Sequence, residues 1–252
     1  MNFSGISRYT LAGRVLRIPL KLIPADTHLW ILQGPLRGYR WIAGAATHGC
    51  WLGSYEQEKQ NAFIRFIRSA SVVYDIGANV GFYTLLAAHL VGKSGRVIAF
   101  EPLPRNLEYL REHITLNRLS NVEVVEAAVS TESGTAMFDD QANPSMGKLS
   151  SCGTVAVRTV TIDDLVGSGA IPSPDLVKID VEGAEYNVLR GASRTLEKKR
   201  PVIFIATHGE ELRTQCLTFL RGHSYKVRSA SKASMPLSDE FVATAVAPRL
   251  DS

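Results

Sequence analysis

The chain has 252 residues, 45% hydrophobic and 21% charged, with a net charge of +4. That balance describes one large α/β domain, or a domain with an appendage, and gives no reason to invoke disorder; the mild basic excess suits an anionic substrate or a membrane surface but is also ordinary for enzymes with neither. Three separated cysteines, Cys50, Cys152 and Cys216, argue against a Cys-x-x-Cys zinc site and a disulfide framework, and point to a reducing, cytoplasmic compartment.

The first segment is apolar and basic. Arg14, Arg17 and Lys21 interrupt it, so it lacks the clean hydrophobic region of a signal peptide, and no run reaches the ~18 apolar residues of a membrane span. "RIPLKLIP" and "QGPLRGYRWIAG" read as loops and a hairpin. We take residues 1–54 as an N-terminal cap and 55–252 as the main domain. "SYEQEKQNAFIRFIRSA" reads as a helix leading into the first sheet strand. It places Tyr55 and Glu56 at the mouth of a cleft, where they can touch a substrate or a cofactor's amino group.

From Val72 strands and helices alternate, the pattern of a doubly wound, mostly parallel sheet. "VVYD" is a strand and "FYTLLAAHLV" its helix, stopped by Gly92. "VIAFE" is the second strand, and Pro104 opens a helix with Leu103, Leu107, Leu110 and Ile114 on one stripe. "VEVVEAAV" reads as a single third strand. "STESGTAMF" and "GTVAVRTV" are short extra strands around the polar loop "DDQANPSMGK", a possible lid. Thr161 is a possible N-cap with Asp164 three residues on. "PDLVKID", the helix "EGAEYNVLRGASRTL", "PVIFIAT", the helix "EELRTQCLTFLRG" and two closing strands complete the chain.

The turn Gly77-Ala78-Asn79-Val80-Gly81 lies between the first strand and its helix, where glycine lets backbone amides approach a ligand. A dinucleotide fingerprint would read Gly-x-Gly-x-x-Gly. Here Asn79 stands at the middle glycine. Asp75, beside the turn, would repel a pyrophosphate but favour a cation. S-adenosylmethionine carries a sulfonium and an ammonium and no phosphate, so it fits better than NAD. Glu101, at the tip of the second strand, suits the hydroxyls of a ribose.

"DIGANVGFYT", "FEPLPRNLEYLREHITLN", "VKIDVEGAEYNVLRGA" and "RPVIFIATHG", in that order, resemble the FkbM family of S-adenosylmethionine-dependent methyltransferases. The resemblance spans roughly Gly53 to Ala247. It implies a class I methyltransferase-like sheet of seven strands with the last antiparallel, and methyl transfer to a hydroxyl of a sugar, glycan or secondary metabolite. It also implies that Asp180 lies near the methionine end of the cofactor and Glu182 near the acceptor. His208, after the fifth strand, is a candidate general base, since its neutral imidazole can accept a proton near pH 7; Glu182 is the other. Carboxylate oxygens suit Mg²⁺, but no metal is assigned.

Three other readings remain. An NAD-dependent oxidoreductase is disfavoured by the glycine spacing and Asp75. A nucleic-acid methyltransferase is suggested by the pI of about 9.0, but "DVEG" offers no proline or aromatic residue to stack a flipped base, and Arg8, Arg14, Arg17 and Lys21 lack interleaved aromatics. A membrane-docking module is limited by Pro19 and Pro24, which cut short any interfacial helix.

Overall fold

The structure, a computed structural model, describes residues 19–139, 148–149, 153, 155–230 and 239–246. Arg8, Arg14, Arg17, Cys152 and all but the ends of the expected lid loop lie outside the described residues. After a 3₁₀ turn at Pro19–Leu22, strands β1 (His28–Trp30) and β2 (Arg40–Ile42) form an antiparallel hairpin, followed by helices α1 (Gly49–Leu52) and α2 (Gln57–Ile64). Then come β3 (Val72–Ile76), α3 (Phe82–Val91), β4 (Arg96–Phe100), α4 (Pro104–Leu116), β5 (Val122–Val125), β6 (Ala128–Val129), β7 (Gly134–Asp139), β8 (Lys148–Leu149), β9 (Val155–Val160) and α5 (Ile162–Gly167). The chain closes through β10 (Leu176–Ile179), α6 (Glu185–Gly191), α7 (Ser193–Lys199), β11 (Val202–Ala206), α8 (Glu210–Gly222), β12 (Tyr225–Ser229) and β13 (Glu240–Ala245).

Seven strands form one sheet in the order β12-β13-β11-β10-β3-β4-β5, parallel except for β13. Its central strands are apolar runs because helices cover both faces. The chain winds outward from β3 to β5 and then returns to lay β10 beside β3. That reversal is the switch point, where a crevice opens beyond the carboxyl ends of the strands. Gly77 follows β3 there at φ +76°, and a Cβ on it would lie 2.0 Å from the carbonyl oxygen of Asp180. Only glycine brings the two strand ends this close.

Helix α3 is apolar on nearly every side, and a helix of that kind needs cover all round. The sheet covers one side; Trp41, Leu36 and Ile31 of the hairpin and Phe63 of α2 share one core with its other side. His113 of α4 pins the hairpin. Its ring stacks on Trp41 at 4.0 Å, its Nε2 accepts the Ile42 amide and its Nδ1–H donates to the Val80 carbonyl.

Two expectations are corrected. "VEVVEAAV" is two strands: β5 ends at Val125, and β6 joins β9, β7 and β8 in a second, four-stranded sheet. The helix after β10 is broken into α6 and α7, because Gly191 packs on the Ser130 carbonyl, 2.0 Å from where a Cβ would sit, and Ala192 leaves helical geometry at φ −114°. The expected cap is present: Thr161 Oγ1 accepts the Asp164 amide at 2.9 Å.

Candidate active site

A cavity of about 840 Å³ occupies the switch point, within the range of pockets that hold drug-sized ligands. Gly77, Ala78 and Asn79 line it beside Glu101, and Asp180, Glu182 and His208 line it from the far side, with Tyr55, Glu56 and Lys59 between. Gly81 starts α3 at φ +97°, and a Cβ there would meet Leu110 at 2.6 Å.

Glu101 is buried and held in place by three donors: the Asn79 amide at 2.8 Å, the Leu103 amide at 3.0 Å and the Asn106 side chain at 3.1 Å. Burial raises its pKa against those bonds. Two carboxylate oxygens offer about four acceptor positions, so one remains for a ligand hydroxyl. Beyond it Leu103, Ala128 and Phe138 form an apolar wall, to which the second sheet contributes.

Asp75 does not face the cavity, contrary to the expectation that it meets a cation there. It is fully buried, accepting from Thr84 Oγ1 at 2.6 Å. Its other oxygen lies 3.0 Å from Lys178 Nζ, an ion pair without hydrogen-bond alignment. The register pairs Asp75 with Lys178 across β3 and β10, so the pleat points both to one face. Lys178 also donates to the Gly77 carbonyl at 3.0 Å. The pair therefore braces the glycine turn from below.

The opposite end is a charge cluster. Lys59, reaching in from α2, donates to Asp180 Oδ2 at 2.8 Å and lies 3.5 Å from both Glu56 and Glu240. Burial acts to lower the lysine's pKa, but these carboxylates outweigh it and hold it above its ordinary value. Burial likewise acts to raise Asp180, and the ammoniums of Lys178 and Lys59 hold it below the usual carboxylate range. Glu56 also accepts from Tyr83 Oη at 3.0 Å, and Tyr55 stacks edge-on against Phe82. Glu56 and Glu182 both adopt left-handed backbone, φ 39° and 52°, a conformation that costs ~1–2 kcal/mol for a residue with a Cβ.

His208 lies among three carboxylates. Its Nδ1–H donates to Glu185 Oε1 at 2.8 Å, and Nε2 is 3.2 Å from Glu182 Oε2 and 3.9 Å from Asp180 Oδ1. Glu185 is fully buried and also accepts the Gly183 amide at 3.0 Å, which fixes the imidazole's orientation. The hydrogen bond to Glu185 raises the pKa of His208; burial opposes, and Glu182 and Asp180 add to the rise. Burial raises Glu182. One ligand atom each from Asp180, Glu182 and His208 lies within 4.8 Å of the others, a set that suits a hard divalent cation, although Lys59 already supplies positive charge to Asp180.

Sequence reasoning missed Lys59, Lys178, Asn106 and the buried role of Glu185. The Lys178 pairing was readable only with the strand register in hand. Lys59 gave no signal beyond its place on a polar helix.

The Methyltransferase FkbM domain family model matches residues 75–227, more than half of the chain. The chain belongs to the FkbM methyltransferase family. It is 30% identical over 150 residues to the hexuronic acid methyltransferase AglP of Haloferax volcanii, a match covering 59% of this chain and 61% of that one. It is 25% identical over 196 residues to the 31-O-demethyl-FK506 methyltransferase FkbM of Streptomyces tacrolimicus, covering 64% and 75%. The match to AglP thus spans about three fifths of that relative's length. Among solved structures, a putative rRNA-methylase from Clostridium thermocellum superposes with a TM-score of 0.50 at 14% identity, over 74% of this chain and 92% of that one. At that identity it bears on the fold alone, which is that of the class I methyltransferases.

Proposed function

We propose that this FkbM-family protein is an S-adenosylmethionine-dependent O-methyltransferase acting on a hydroxyl of a sugar, glycan or secondary metabolite. The observation that carries the reading is the Glu185–His208–Glu182 chain, set at one end of a cavity whose other end is a glycine turn and an anchored acid. Glu101 and the Gly77–Asn79 backbone would hold the nucleoside ribose, the apolar wall at Leu103 and Phe138 would cover its base, and Asp180 would face the methionine end. The bound donor supplies an electrophilic methyl group on a positively charged sulfur. Names of relatives fit: AglP is a hexuronic acid methyltransferase and FkbM a 31-O-demethyl-FK506 methyltransferase.

His208 acts as the base. With Nδ1–H committed to Glu185, Nε2 carries the lone pair that would take the acceptor's hydroxyl proton as its oxygen bonds to the methyl carbon, the carbon–sulfur bond breaking with its electron pair left on sulfur as a neutral thioether. Glu185 steadies the resulting imidazolium. Glu182, whose pKa burial raises, is the second candidate for the same proton. Tyr55 and Glu56 line the cavity beside α2, and in this reading the described part of the N-terminal cap (1–54), residues 19–54, packs against α3 and α4 of the main domain, 55–252. No helix among the described residues is long and apolar enough to cross a membrane. Cys50 and Cys216 are buried free thiols, in keeping with a reducing, cytoplasmic setting.

The test is methyl transfer from labelled donor to a panel of glycans and metabolites. His208→Ala should lower turnover roughly 10²–10⁴-fold. An unchanged rate in His208→Ala, with a collapse in Glu182→Gln, moves the base to Glu182. An intact fold that transfers nothing and binds NAD instead supports the oxidoreductase reading.

A further inference from the structure

The protein is net basic, but the described lining of its catalytic cavity is acidic. Glu56, Glu101, Asp180, Glu182, Asp239 and Glu240 line it, against two lysines, Lys59 and Lys178. Both lysines have carboxylate partners: Lys178 pairs with the buried Asp75, and one ammonium, that of Lys59, lies within reach of Asp180, Glu56 and Glu240. His208 has carboxylates at both ring nitrogens. Among the described residues, no cation in the cavity is left to meet an incoming anion.

From this charge arrangement we propose that the acceptor carries no negative charge near its reacting hydroxyl: it is a neutral or ammonium-bearing sugar ring, and carboxylate- or phosphate-bearing acceptors are excluded. The proposal rests on the methyltransferase reading and narrows it. Glu101 lies at the end assigned to the nucleoside, so the excess that meets the acceptor comes from Glu56, Glu182 and Asp239. A sugar carboxylate there would face like charges in a partly desolvated site, where juxtaposed like charges are strongly unfavourable. A neutral ring can instead donate its hydroxyls to the same carboxylates, and an ammonium gains from all of them. Discrimination of this kind works by repulsion as much as by attraction. It also separates this chain's chemistry from that of AglP, which is named for a hexuronic acid.

The test compares methyl glucoside, methyl glucosaminide and methyl glucuronide by saturation-transfer NMR on protein loaded with S-adenosylhomocysteine, alongside turnover. The glucoside and glucosaminide should bind at least roughly tenfold better than the glucuronide. Glu56→Gln and Asp239→Asn should each narrow that gap, as should raised salt. Equal signals from all three sugars, including none from any, or preference for the glucuronide, overturns the proposal. Calorimetry on the same sample separates the two claims. If S-adenosylhomocysteine binds but the sugars are not discriminated, only the acceptor proposal fails; if it does not bind, the donor reading falls and takes this proposal with it.

Discussion

The pKa of His208 is raised because Glu185 accepts its Nδ1–H, and a base works only in its unprotonated form. The rate at low substrate should therefore climb with pH along a limb centred above the ordinary 6.5, which a pH–rate profile reads directly. Replacing Glu185 by Gln removes the main cause of the rise, so the limb should move to lower pH while the rate drops; a limb that stays put would show that Glu185 only packs. Lys178 and Asp75 make a different prediction. Lys178→Met leaves a buried carboxylate with Thr84 alone, and breaking a buried pair costs about 3–5 kcal/mol, measurable by denaturant unfolding. A loss below about 1 kcal/mol would mean the pair does not brace the glycine turn. The sequence marked Asp180 and Glu182 through their likeness to the family's signature and His208 by its place after the fifth strand, and the structure brings the three together. It misplaced Asp75, since the side to which a strand residue points depends on pleat and partner, and the partner, Lys178 on β10, is distant in sequence and is fixed only by the strand register.

The hairpin β1–β2 is attached to the main sheet domain through His113. Burial lowers the pKa of that imidazole from 6.5 to about 4, and the neutral ring is needed because Nε2 accepts a backbone amide. A depressed histidine is protonated more readily in the unfolded chain. Its contribution to stability is therefore full above pH 6.5, falls as the pH drops toward 4, and is flat below. The span corresponds to at most about 3 kcal/mol. Thermal unfolding from pH 7 to 4 should show this loss, and His113→Gln should flatten it; an unchanged slope would place the pH sensitivity elsewhere. The parallel strands were legible as elements because burial on both faces leaves continuous apolar runs. The break at Gly191 and the split of "VEVVEAAV" were not, because each depends on a partner distant in sequence, the Ser130 carbonyl in one case and β9 in the other.

For the whole molecule, net charge was a poor guide and its distribution a good one. A surplus of lysine and arginine suggested nucleic acid among other partners, yet the described cavity lining is dominated by carboxylates, which repel a phosphate backbone. The argument for a cationic nucleoside donor, first attached to Asp75, now rests on Glu101 and on the cluster around Asp180. Calorimetric titration with S-adenosylhomocysteine and with NAD tests that claim most directly. The account predicts binding of S-adenosylhomocysteine, weakened roughly tenfold or more in Glu101→Ala by loss of a charged hydrogen-bond acceptor, and no heat from NAD. Binding of NAD by a folded sample that ignores S-adenosylhomocysteine would contradict it.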